Sequence, residues 1–371
     1  MKHLDYDIAI IGAGFAGLGM AIRLKKAGYN SFVVFERGKE VGGTWRDNTY
    51  PGCGCDVASH LYSFSFEPNP NWTRKFSKQP EILEYLKDCV HKNNLEPHLQ
   101  LNTEIFKVIF NESEGIYTIT DSYGKQITAR MVVAGLGPLN RPQIPDFEGL
   151  NNFKGEVFHS SNWNHNYDLT GKRVAVIGTG ASAIQFVPEI VDKVSKLYLF
   201  QRTAPWIIPK PDGEFSNFSK SLFSKLPLIR KTYRGFLYQL NEFIGLSFIG
   251  NETVKKIAQF QAEQHLKGQV KDEELRKNLI PNYRIGCKRI LVSDNYYPAL
   301  QKPQSEVITD KINKITENGI IANSGSEKQV DVIIFGTGFH VAEYPEQFIK
   351  KLYYSRIKRR EFISKMDERR L

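Results

Sequence analysis

A chain of 371 residues is too long for one simple core and fits two domains. With 41% hydrophobic and 24% charged residues it has the composition of a soluble globular protein, and four cysteines are too few for a disulfide framework. The net charge of +10 is a poor argument for nucleic acid, because nine Lys/Arg against three Asp/Glu fall from Lys350 onward with no nucleic-acid motif beside them.

The first apolar run is only Ile8–Ile11, and it meets glycine at once, which reads as a buried strand and not as a signal peptide. Asp7–Ile11 is expected as a strand, Gly12-Ala-Gly14-Phe-Ala-Gly17 as a turn, Phe15–Ala27 as a helix and Ser31–Phe35 as a second strand ending at Glu36. Strand, glycine turn, helix, strand and acid, in that order, make a dinucleotide-binding unit. Cys53 and Cys55 form the only close cysteine pair. With no further ligands near them they read as reduced thiols of a cytoplasmic protein, and no metal is expected.

Glu81–Lys92 is expected as an amphipathic helix. Thr103–Phe110, Gly115–Asp121 and Gln126–Ala129 look like short antiparallel strands, and Met131–Gly137 like a buried strand ending in glycines. Pro138, Pro142 and Pro145 then mark a linker. Arg173–Ile177 opens a second unit with the turn Gly178-Thr-Gly180-Ala-Ser-Ala183, and Leu197–Gln201 closes it before Arg202.

From Phe215 to about Asn282, Leu, Phe, Lys and Glu recur at helical spacing, which predicts a helical insertion. Its segment 235–250 comes nearest to a membrane span, but Gln239, Asn241 and Glu242 interrupt it. No stretch reaches the roughly 18 apolar residues that a span needs. Val330–Phe335 is another buried strand, ending in Gly336-Thr-Gly338. No amphipathic helix follows closely, so it is expected to close one domain onto its neighbour and not to form a third nucleotide site. The fold class is therefore α/β, with two dinucleotide-binding, Rossmann-like domains and a helical insertion in the second. The expected domains are 1–150, 151–330 with the insertion at about 215–282, and 331–371 as a return strand to the first domain followed by a basic tail.

Glu36 lies 24 residues after Gly12, and Arg202 lies 24 after Gly178. A carboxylate at the tip of the second strand accepts from ribose hydroxyls and repels a 2′-phosphate. A guanidinium there can clamp that phosphate. The loop Gly12, Gly14, Gly17 with Glu36 is therefore expected to take FAD or NAD. The loop Gly178, Thr179, Gly180, Ala181, Ser182 and Ala183, with Arg202, is expected to take NADP, its pyrophosphate resting on the helix N-terminus. Arg202 could also be a solvated strand-end charge, but its matching offset, and Thr203 beside it, favour the phosphate.

Between the loops runs Phe153-Lys-Gly155-Glu-Val-Phe-His159-Ser-Ser-Asn-Trp163, with Asn164 next. It resembles the fingerprint of the type I Baeyer–Villiger monooxygenases, which ends in Pro or Asp where Asn164 stands. Gly42-Gly43-Thr44-Trp45 followed by Tyr50-Pro51-Gly52 and Asp56 resembles a second pattern of that family. Cys287-Lys288-Arg289 through Asp294 resembles the segment that carries its active-site arginine. The likeness runs from about Asp5 to Phe339. Disulfide reductases, which also carry two such domains, usually need Cys-x-x-Cys or Cys-x4-Cys, and Cys53-Gly-Cys55 does not match.

The resemblance implies FAD and NADP as cofactors, molecular oxygen and a small ketone or related substrate. Oxygen would be inserted beside the carbonyl through a C4a-peroxyflavin, giving an ester or lactone. Arg289 would stabilise the peroxide anion, and Asp56 would orient Arg289. Lys288 would join Arg202 and Thr203 at the 2′-phosphate. Thr44, Trp45 and Asp56 would line the flavin, Gly54, Cys55 and Asp56 would approach the nicotinamide, and Tyr62 and Val108 would be further flavin contacts. His159 and Trp163 would be structural or gating. The 33 residues after Gly338 do not resemble the family's continuation, so FAD is expected to be held weakly. Two other readings stay open: a nitrogen- or sulfur-oxidising relative, and a truncated nucleotide-binding protein without turnover.

Overall fold

The structure is a computed structural model that describes residues 4–245 and 251–341. The basic tail and the stretch 246–250 of the apolar segment lie outside the described residues. The chain divides into two units: Met1–Asp47 with Leu83–Arg141, resumed from His340, and Asn48–Ile82 with Pro142–Phe339.

The elements of the first unit begin with β1 (Tyr6–Ile11), α1 (Phe15–Lys26), β2 (Phe32–Phe35) and α2 (Thr44–Asp47). Helix α3 (Gln79–Lys92) starts in the second unit and runs into the first. Then come β3 (Leu99–Gln100), β4 (Ile105–Asn111), β5 (Ile116–Asp121) and β6 (Gln126–Ala134). The sheet order is β3-β2-β1-β6-β5-β4. The apolar runs of β1 and β2 bury Ala9, Ile11, Val33 and Phe35 against Ile105, Val108 and Ile119.

Strand β6 joins two segments expected to be separate. Its first half pairs antiparallel with β5, as Ile119 with Ile127, and its second half pairs parallel with β1, as Ile10 with Val133. The second half is also more open than expected, since Met131 is 49% exposed.

The second unit contains β7 (Glu156–His159), β8 (Arg173–Ile177), α4 (Ala183–Ile190), β9 (Lys196–Phe200) and β10 (Ile207–Ile208). The insertion follows as α5 (Asn217–Lys225), α6 (Pro227–Gly245), α7 (Glu252–Gln269) and α8 (Glu273–Asn278). Next are β11 (Leu291–Val292), α9 (Tyr296–Leu300), β12 (Ser305–Ile308), β13 (Ile312–Ile315), β14 (Gly319–Ala322), β15 (Glu327–Gln329) and β16 (Val332–Phe335). No helix among the described residues is long and apolar enough to cross a membrane.

The main sheet here is wholly parallel, in the order β12-β9-β8-β16-β7. Strand β16 therefore does not return to the first domain. It pairs with β8 on one side and β7 on the other, and Ile333 and Phe335 join Ala175, Ile177 and Phe200 in one core. An apolar strand with no polar face needs cover on both sides, and the middle of a parallel sheet supplies it. Asn48–Ile82 also clusters with this unit, contrary to the expected boundary at 150. Arg74 pairs with Asp212 at 3.1 Å, and Lys75 N donates to Gly213 O at 2.8 Å.

Candidate functional site

The two glycine loops are built alike. Gly12 N donates to Phe35 O at 2.7 Å, and Gly178 N donates to Phe200 O at 3.1 Å. Both glycines take left-handed backbone angles, φ +99° and +106°. A Cβ on Gly12 would stand 2.5 Å from Gly135 O, and one on Gly178 would stand 2.6 Å from Gly336 O. Each loop is thus backed by the end of the strand beside it. Gly135-Leu-Gly137 ends β6 and Gly336-Thr-Gly338 ends β16, so the second glycine pair is the counterpart of the first and not a further nucleotide loop.

Neither α1 nor α4 has a side-chain cap or an acidic residue in its first turn. The insertion helices differ. Ser216, Asn251 and Asp272 cap α5, α7 and α8 by accepting from Ser219 N, Val254 N and Leu275 N. No side chain closes the start of α1 or α4, and the positive dipole end of such a helix favours an anion.

Glu36 is 5% exposed and accepts from Ala13 N at 2.9 Å, Gly38 N at 2.8 Å and Arg46 at 2.7 Å. Burial opposes its charge, but these bonds outweigh it and hold the carboxyl below its ordinary value. Arg46, which also pairs with Asp47 at 2.7 Å, escaped the sequence reading; its signal is its place one residue after Trp45. Equal counting from the loops does not give equal register. Glu36 directly follows Phe35, whereas Gln201 follows Phe200 and Arg202 comes one later. Gln201 is 3% exposed while Arg202 is exposed, and Thr179 Oγ1 donates to Thr203 O at 3.0 Å, which ties that segment to the loop.

Asp56 and Arg289, far apart in sequence, meet within the second unit. Arg289 Nε donates to Asp56 Oδ2 at 3.1 Å, and Nη2 reaches the same oxygen. The guanidinium keeps its other side open, with a side-chain exposure of 64%. Lys288 is exposed, with Nζ 4.6 Å from the centre of the Tyr283 ring.

Lys210 is a second cation that the sequence reading missed. Its Nζ donates to Cys55 O at 3.3 Å, and burial lowers its affinity for a proton. Burial also pushes the Cys53 thiol up to about 11 and the Cys55 thiol to about 12, which suits inert thiols. Among the described residues no cluster of three or more His, Cys, Asp or Glu could hold a metal ion.

The remaining expected residues are divided between the two units. Thr44 and Trp45 open α2, with Trp45 buried. Tyr62 is half-buried in the second unit. Val108 is 1% exposed inside the first core, which leaves it closed to a ligand among the described residues. His159 ends β7, accepts from Ser161 N at 3.1 Å and stands edge-on to Phe339. Burial lowers its pKa, so it sits in the fold as a neutral ring. Trp163 packs on Phe158 and Phe186 at 5.1 and 5.3 Å between ring centres.

Residues 5–360 match the FMO-like family, described as flavin-binding monooxygenase-like. The chain belongs to this family. A Baeyer–Villiger monooxygenase of Pseudomonas aeruginosa is 54% identical over 332 residues, covering 90% of this chain and 63% of the relative. A Baeyer–Villiger monooxygenase of Streptomyces coelicolor is 46% identical over 343 residues, covering 92% and 66%. The chain thus spans a little under two thirds of the length of these curated relatives. Among solved structures, an oxidized steroid monooxygenase bound to NADP superposes with a TM-score of 0.79 at 29% identity, covering 90% of this chain and 71% of the other. An open cyclohexanone monooxygenase gives 0.80 at 26%, covering 91% and 74%. The OTEMO complex with FAD and NADP gives 0.80 at 27%, covering 91% and 72%.

Proposed function

We propose that this flavin-binding monooxygenase-like chain takes FAD at its first glycine loop and NADPH at its second, and serves oxygen insertion beside a ketone carbonyl to give an ester or lactone. The observation that carries the reading is the Asp56–Arg289 pair, in a chain 54% identical to a Baeyer–Villiger monooxygenase. A bound flavin, reduced by NADPH, supplies the activated oxygen. The protein's task is then to bind, to orient and to hold negative charge on that oxygen.

Gly12, Gly14, Gly17 and the uncapped start of α1 would seat the FAD pyrophosphate, and Glu36 would accept from its ribose. In the second loop, Thr179, Ala181 and Ser182 offer backbone amides, and Gly180 and Ala183 leave room for close approach. Arg202 and Lys288, with Thr203 beside them, would take the 2′-phosphate. The donor set fits both groups: an acid at the first strand end would repel a 2′-phosphate, and cations near the second would attract one. A guanidinium is a permanent cation, and that of Arg289 would stabilise anionic oxygen in the reaction. Asp56 holds one side of the guanidinium, so the charge is directed without being spent on a second partner.

The test is Arg289→Ala, assayed for NADPH oxidation, hydrogen peroxide and product with a ketone and with a sulfide. Ester should disappear while NADPH oxidation persists and its electrons appear as hydrogen peroxide. Ester formed at the wild-type rate would overturn the role of Arg289. A wild type that oxidises only the sulfide would assign the chain to heteroatom chemistry instead.

A further inference from the structure

The turn that carries Asp56 is gripped by a side chain from outside it. Gln185 lies on α4, two residues beyond the second glycine loop. Its Nε2 donates to Gly54 O at 3.0 Å, and its Oε1 accepts from Gly54 N at 3.2 Å. The same oxygen accepts from Tyr50 Oη at 3.0 Å. Both backbone groups of one residue, and one phenol, thus end on a single amide.

The backbone is fitted to this contact. Gly52 has φ +77°, and a Cβ there would stand 2.6 Å from Gln185 O, so the chain passes directly against α4. The Tyr50 ring stands edge-on to Phe186, one residue after Gln185, at 6.1 Å. On its other edge the turn is held by Cys55 N to Ser77 O, Gln79 N to Cys53 O, both 2.9 Å, and by Lys210. Asp56 follows Gly54 by two residues.

We infer that Gln185 is the positioning residue for Asp56: from the first turn of α4 it clamps the backbone N–H and C=O of Gly54 and so sets the carboxylate that Arg289 binds. A primary amide carries an acceptor oxygen and a donor NH2 side by side, which matches the N–H and C=O of one residue. A glutamate at this place keeps the acceptors and loses the donor. A methionine keeps the volume and loses both. The clamp also fixes the turn to the helix whose N-terminus would seat the second nucleotide. What this means for Arg289 rests on the function proposed above; the clamp itself does not.

The experiment compares wild type, Gln185→Met, Gln185→Ala and Gln185→Glu as folded full chains. Amide hydrogen exchange is followed over residues 50–57, with β8 and β9 as reference. Iodoacetamide labelling of Cys53 and Cys55 is read site by site by mass spectrometry. In Met and Ala the segment should exchange at least about tenfold faster and both thiols should label faster, with β8 and β9 unchanged, because opening of the turn no longer breaks the amide pair. Glu should fall between them and wild type. Exchange within about twofold of wild type in the Met variant would overturn the clamp. So would acceleration spread equally over β8 and β9, which marks general destabilisation. Neither readout needs turnover, so a protected turn in an inactive wild type would count against the catalytic reading alone.

Discussion

The two glycine loops share a backbone and differ in what stands at the strand end. Behind each lies a glycine from the next strand, Gly135 or Gly336, and ahead of each starts a helix without a cap. Yet the first strand ends in a buried carboxylate held by three donors, and the second in a buried amide followed by an exposed guanidinium. The common part is what any pyrophosphate requires. The differing part is one charged side chain in each unit, and on it rests the proposed division between FAD and NADP.

The strongest way to break this comparison is to fill the loops one at a time. Gly12→Val should abolish FAD binding and leave NADP+ binding, and Gly178→Val should do the reverse, because each side chain would overlap a backbone carbonyl. Equilibrium dialysis with each nucleotide checks this, and loss of both from either variant would show that the loops are not independent.

Arg202→Ala comes next. Losing one charge-assisted phosphate contact should cost about 1.5–3 kcal/mol, a tenfold or greater loss of NADP+ affinity with NAD+ little changed. Equal losses would show that Arg202 does not read the phosphate.

Glu36→Gln sharpens the acidic side, with an expected loss in FAD affinity of about 1–2 kcal/mol near neutral pH. The folded carboxyl lies below its ordinary 4.5, so its contribution to stability is present above that pH and is lost as pH falls through the folded value. Thermal melting of wild type from pH 6 downward should show that fall, and the glutamine variant should show less of it. Lys288→Ala should have the smallest effect, about two- to threefold in NADP+ affinity and a weaker salt dependence, since an exposed point charge contributes only about 0.5 kcal/mol.

Much of this was legible in the sequence, for reasons that can be located. Glycine spacing is a local feature, so both loops and the strand ends beside them could be read directly, though equal counting put Arg202 where Gln201 stands. The helical insertion was equally plain, because α5 to α8 keep helical spacing throughout. Strand partners were not. The apolar run of β16 states that it is buried and not in which sheet, and β6 hides its change of partner inside one continuous strand. Strand β7 lies inside the fingerprint segment, whose pattern marks single side chains such as His159 and not an edge pairing with β16. At the site, the likeness to a family pattern linked Asp56 with Arg289, a pairing no local rule gives. Lys210 and Gln185 act through backbone groups of Gly54 and Cys55, and no residue pattern announces such bonds.

The central claim is that one chain holds two different dinucleotides at two independent loops. It is tested most directly by dialysing the wild-type protein against FAD and NADP+ together and separately, and counting each nucleotide bound. The account predicts one FAD and one NADP+ per chain, neither displacing the other. A total of one nucleotide, with FAD and NADP+ competing for it, would contradict it.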